Sequence, residues 1–335
     1  MFSPATRSVA LAATALLAGI SLAACSGGDD QDSGRLQVVA AFYPLQYAAE
    51  RVAGEHADVS NLTQPGKEPH DLSLSVSQVA DVATADLVVF EDGFQAAVDS
   101  AVEEDRDGPS VNAADAVELK PAGSEGHEEE LPEGHEGESA EEHAAHEEEE
   151  DHHEHEHEHE HGDLDPHFWQ DPLLVADLGD AIAKKLSGID PAHADDFAAN
   201  AAALRSDLEA LDGEFSTGLQ GCERDTVVVN HDAFGYLTKY GVHLEAISGL
   251  APDSEPNAAT ISDLHDLIRE HGITTVFSET LVSPRAAEAI AGDLGIETAV
   301  LDPLEGLTAE AEENDGDYLT VMRQNLAELK KANAC

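Results

Sequence analysis

Basic residues are scarce in this chain. Only 16 lysines and arginines stand against 70 aspartates and glutamates in 335 residues, a formal net charge of -54. Such a surface repels phosphate backbones and anionic headgroups, which argues against nucleic acid as a partner. Between Glu125 and Asp163 there is no basic residue at all, against nineteen acids and ten histidines. That stretch also lacks the apolar side chains needed to offset chain entropy, so it reads as a disordered insert. Outside it no HExxH occurs, and neither GxSxG nor a P-loop is found anywhere, so common hydrolase and nucleotide-binding signatures are missing. Cysteine is rare as well, with three residues: Cys25, Cys222 and Cys335.

What is present begins with a processing signal. Arg7 precedes "VALAATALLAGISL", a largely apolar run of fourteen residues that is too short for a permanent helix across about 30 Å of hydrocarbon. The run ends in "LAAC" at Cys25, which resembles the bacterial lipobox, and a polar "SGGDDQDSG" tether follows. The resemblance implies a diacylglyceryl group on Cys25 and a mature protein anchored by lipid on the outer face of the cell membrane, or in the periplasm. Stable anchoring takes two or more acyl chains. Outside the cytoplasm disulfides are permitted, so Cys222 and Cys335 are expected to pair; shared zinc ligation is the weaker alternative, because neither has a second ligand close by.

Short β-branched runs alternate with helical patterns through the rest of the chain. "LQVVAAF", "ADVSNL", "DLVVF" and "PSVN" read as strands before residue 115, and "DTVVVN", "VHLEAI", "ITTVFSE" and "ETAVLD" repeat the rhythm after Cys222. This is the pattern of βαβ units with parallel sheets. Between the two sets, the segment from Pro191 to Gly221 is rich in alanine and leucine, with Leu204, Leu208, Leu211 and Phe215 at helical spacing. It predicts one helix of about thirty residues, roughly 45 Å long, joining two lobes. The expected organisation is a signal peptide over 1–24, a tether over 25–34, a first α/β lobe over 35–189 with a disordered His/Glu-rich insert at 120–163, a linking helix over 190–221 and a second α/β lobe over 222–335.

Loops at the carboxyl ends of parallel strands are where such folds bind ligands, so the histidines there carry the most information. His70 lies in "GKEPHDLSLS", His167 in "DPHFWQDP" and His231 in "VVVNHDAFGYL". Each stands at a strand end or proline-bounded loop before a helix start. Each has an acid nearby, Asp71, Asp171 and Asp232, that can accept the second imidazole N–H as at metal sites or serve as a helix cap.

With "DPL" at 302–304, these motifs resemble the ZnuA/TroA family of metal-binding lipoproteins, in the family's order and over the whole mature chain. The resemblance implies two (β/α)4 lobes joined by a rigid helix, with an ion in the cleft between them. It also implies His70 and His167 as ligands from the first lobe and His231 and Asp302 from the second. Its members serve ABC importers of zinc or manganese, so a membrane permease dimer with its ATPase becomes the expected partner of a monomeric binding protein. Three imidazoles and a carboxylate suit Zn²⁺, while Mn²⁺ prefers more oxygen and higher coordination; manganese or iron stays the alternative cargo. A surface adhesin and a zinc hydrolase are the other readings. Four protein ligands leave no position for an activated water, which favours binding over catalysis. Affinity is expected to fall below about pH 6, as imidazoles take up protons.

Several residues have more than one role open to them. Glu279, in "VFSET", reads as an outer partner of the site, a substitute for Asp302 or a helix-capping acid, in that order. Glu68 lies two residues before His70 and could reach the ion. Phe42, Tyr43 and Trp169 read either as cleft walls or as core. The insert, with His152, His153, His155, His157, His159 and His161 near its end, reads as an accessory multisite zinc collector or as a solvated acidic spacer.

Overall fold

The structure, a computed structural model, describes residues 34–123, 164–252, 254, 256–314 and 316–335. Cys25, the tether up to residue 33, most of the insert and its six named histidines lie outside the described residues.

Aliphatic runs build the first sheet. β1 (Leu36–Ala40) leads through α1 (Tyr43–Ala53) to β2 (Ala57–Asn61), and α2 (Val76–Thr84) leads to β3 (Leu87–Phe90). After α3 (Ala96–Asp105) come β4 (Ser110–Asn112) and the single turn α4 (Ala113–Ala116). The strands pair in parallel in the order β2-β1-β3-β4. All four residues of β3 are buried, as expected of a central parallel strand covered on both faces. A two-stranded ribbon, β5 (Lys120–Pro121) with β6 (Leu164–Asp165), brackets the insert and delivers the chain to α5 (Pro172–Ile189).

The second lobe repeats the plan. It follows α6 (Ala194–Gly218) with β7 (Thr226–Val229), β8 (His243–Ala246), α7 (Ala258–His271), β9 (Thr275–Ser278), α8 (Arg285–Leu294), β10 (Glu297–Val300), α9 (Ala309–Glu313) and α10 (Tyr318–Asn333). Its parallel order, β10-β9-β7-β8, is the first lobe's order read from the other edge. In each lobe the order reverses beside the first strand, so β1 with β3 and β7 with β9 flank equivalent crevices.

The linking helix is shorter than its sequence suggests. Pro191 opens a separate 3₁₀ turn, Pro191–His193, and α6 itself runs for 25 residues, about 37 Å. Phe197, Leu204, Leu208, Leu211 and Phe215 are fully buried along one face. Its polar side ties to both lobes: Arg51 of α1 meets Asp207 at 2.6 Å, and Arg323 of α10 grips Glu214 through two guanidinium nitrogens. One apolar cluster runs from the first sheet through α5 and α6 into α10, and a smaller one lies under α7 and α8. Cys222 and Cys335 are joined by a disulfide, which fastens the end of α10 to the chain leaving α6.

Candidate metal centre

Four side chains converge between the lobes. His70 comes from the loop between β2 and α2, and His167 immediately precedes a 3₁₀ turn, Phe168–Gln170, that leads into α5. His231 stands just past the carboxyl end of β7, and Glu305 lies in the loop after β10. One ligand atom from each lies within 4.8 Å of the others. Glu305 Oε1 is the centre of the group: His231 Nε2 is 3.0 Å away, His70 Nε2 3.2 Å and His167 Nε2 3.4 Å. His167 and His231 are fully buried, and the Glu305 side chain is 2% exposed.

Outer acids set the rings. His167 Nδ1 lies 2.7 Å from Asp165 Oδ1, and His231 Nδ1 lies 2.7 Å from Glu279 Oε1. The same carboxylate oxygens accept the backbone N–H groups of these histidines, so each acid fixes ring and main chain together. With Nδ1–H engaged, both Nε2 atoms face the centre, the arrangement that orients metal-binding imidazoles. His167 Nε2 is buried, and its 3.4 Å ion-pair contact with Glu305 Oε1 falls outside hydrogen-bond geometry, so a cation would give it a better partner. At His70, Glu68 accepts the backbone N–H at 3.0 Å, and its carboxylate stays 3.9 Å from Nε2.

The charges reinforce one another. Burial works against the His231 imidazolium, yet its hydrogen bonds to Glu279 and Glu305 prevail and carry its pKa to about 10. His167 is raised for the same reason, with Asp165 and Glu305 outweighing burial. Burial pushes Glu305 upward, but the three histidines hold it well below the usual carboxylate range. Without an ion the site therefore favours protons on His167 and His231, and a divalent cation replaces positive charge already provided for.

The structure corrects the expectations for Asp302 and Asp232 and, of the two roles open to Asp171, shows the helix cap. Asp302 stands outside the group of four: its carboxylate accepts the Leu304 N–H at 2.8 Å, and burial raises its pKa to about 6. That Asx turn leads into Leu304, whose φ of 61° is rare for a branched side chain, and the bend presents Glu305. Asp171 caps α5 through the Leu173 N–H and pairs with Lys239, leaving Asp165 to hold His167. Asp232 does not hold the His231 ring, since Glu279 does; burial and the nearby Asp165 charge raise its pKa instead. Asp71 is exposed.

The expected walls divide similarly. Trp169 is fully buried, its ring 5.3 Å from that of His167 and its Nε1–H donated to Pro303 O at 2.7 Å across the lobe junction. Phe42 packs behind Trp169 and Phe94 as core. Tyr43 lines a separate depression with Tyr47, Gly306 and Leu307. Glu305 and Asp165 were missed in the sequence reading. Their available signal was the repeated Leu-Asp-Pro, at Leu164–Pro166 and Leu301–Pro303, in which the aspartate closes an Asx turn both times.

With this geometry in view, comparison with known proteins is decisive. Residues 38–332 match the family model described as ZnuA, zinc-uptake complex component A, periplasmic. The chain belongs to the ZnuA family. Among ZnuA relatives, the high-affinity zinc uptake system protein ZnuA of Bacillus subtilis is 31% identical over 94% of this chain and 93% of its own length. The zinc-binding lipoprotein AdcA of Streptococcus pneumoniae is 34% identical over 95% of this chain, which spans only 59% of that relative's length. The Zn(II)-bound ZnuA-like domain of the same AdcA superposes with a TM-score of 0.69 at 29% identity, covering 90% of this chain and 100% of the domain.

Proposed function

We propose that this chain is an extracytoplasmic solute-binding protein that captures Zn²⁺ through His70, His167, His231 and Glu305 and passes it to a membrane permease driven by an ATPase. The observation that carries the proposal is the convergence of three imidazole Nε2 atoms on one buried carboxylate, with acids behind two of the rings. Nitrogen-rich, four-coordinate and compact, this set suits zinc, whereas manganese would call for more oxygen. The match to the ZnuA family and the names of its relatives support zinc as the cargo.

Binding rather than hydrolysis follows from the ligand count, because four protein ligands leave no coordination position for a reactive water. Glu279 and Asp165 then act as ring-orienting acids, and Glu68 steadies the His70 loop. Cys25 would carry the lipid anchor, and the His/Glu-rich insert would gather zinc weakly.

Calorimetric titration of the whole metal-free chain with zinc and manganese tests the proposal, with a deletion of residues 125–161 run in parallel. One tight zinc equivalent that survives the deletion, with weak manganese, is the expected result. Tight manganese binding, or loss of the tight zinc equivalent with the insert, would overturn it.

A further inference from the structure

The two lobes repeat one strand order, and the repeat places Glu91 in an informative position. Glu279 directly follows β9, the third strand of the second sheet, and there it orients His231. Glu91 directly follows β3, the third strand of the first sheet, at the equivalent crevice. Yet Glu91 is 2% exposed, and neither of its carboxyl oxygens has a hydrogen-bond partner among the described residues. A buried carboxyl group left this way is costly, and a bound cation would satisfy it.

A cavity beside the converging side chains is lined by the same residue. Of the four converging side chains, His70 has the greatest exposure, 16% against 0–2% for the others, so an incoming ion meets it first. His70 lines a cavity of about 200 Å³ together with Glu91, Asp92, Phe94 and, from the second lobe, Leu250. His70 and Glu91 thus border one chamber outside the tetrad, with the Glu91 carboxyl oxygens themselves buried.

We propose that this chamber is the vestibule of the zinc site and that Glu91 is a transient ligand, holding an incoming divalent cation beside His70 before it moves inward. The inference rests on the zinc-binding reading above. Burial, together with the charges of Asp165 and Asp99, raises the Glu91 pKa well above the usual carboxylate range, which favours the protonated acid while no cation is near. An arriving cation displaces that proton to solvent and gains a carboxylate oxygen; the proton returns when the ion has moved on. A neutral resting state keeps the position weak, as a staging ligand must be, since tight binding there would trap the ion.

Such a ligand has a kinetic signature. Glu91→Gln keeps the volume and removes the oxygen anion, so zinc association and dissociation should both slow by about tenfold while the equilibrium constant stays within about twofold. Stopped-flow transfer of zinc between the whole chain and a fluorescent chelator reads both rates, and Glu91→Asp should fall between Gln and wild type. Unchanged rates would overturn the proposal, as would a weakened affinity from faster release alone, which would make Glu91 a support of the tetrad. Independently of any variant, crystals of the whole wild-type chain grown in large zinc excess should show a second, weaker anomalous peak at Glu91; its absence would also count against the vestibule. If wild type shows no tight zinc equivalent, the zinc-binding reading itself fails, a distinct result.

Discussion

His231 shows how one residue couples ion, proton and fold. Its pKa of about 10 stands above the ordinary 6.5, so protonation stabilises the metal-free fold fully below about pH 6.5 and is lost as pH rises through 10. The metal-free protein should therefore lose thermal stability between pH 7 and 10, while the zinc-bound form, with no proton on Nε2, should not; melting curves of both across that range decide this. Zinc binding at pH 8 should likewise release at least one proton, visible as a dependence of the calorimetric enthalpy on the buffer's ionisation heat. Competition by protons consequently begins well above the pH 6 expected of an ordinary imidazole. Glu279→Gln should weaken zinc by about 10- to 100-fold and reduce proton release, because Nδ1 loses its anionic acceptor. The three histidines were legible in sequence because each stands alone at a strand end or proline-bounded loop. Glu305 was not, because the choice between two acids three residues apart depends on the left-handed Leu304, a backbone fact with no mark in residue type.

At the scale of elements, β-branched runs made the strands legible, and the repeated alternation revealed two lobes. The strand order came from pairing that sequence does not record. The start of the linking helix was misplaced because Pro191 serves equally well in a 3₁₀ turn held by Asp190, whose carboxylate accepts the Ala192 N–H. The disulfide belongs to this scale also. It closes a loop of 113 residues around the second lobe, so reduction should cost about 2–4 kcal/mol of stability. Neither cysteine touches the converging ligands, and reduction should therefore lower the melting temperature without changing zinc stoichiometry. A loss of the tight equivalent on reduction would show instead that the bridge holds the second lobe's loops in place.

For the whole molecule, the question is how far the lobes can part when the ion leaves. In the proposed site two ligands come from each lobe, so a bound ion would link them without being their main connection. The larger apolar cluster is continuous from the first sheet through α6 to α10, and Trp169 and Gln170 of the first lobe both donate to Pro303 O of the second. The loops themselves also join, with the Gly66 N–H donated to Leu307 O at 2.8 Å. A wide hinge would have to break this core, whereas loop movement breaks only a few hydrogen bonds. Zinc removal should therefore change the radius of gyration from small-angle scattering by less than about 1 Å, while hydrogen exchange accelerates in the loops carrying His70 and Glu305. A change of several ångströms would mean that the linking helix bends and that the ion holds the lobes together. The small change would instead confine release to the loops, with the Gly66–Leu307 hydrogen bond among the first contacts to part.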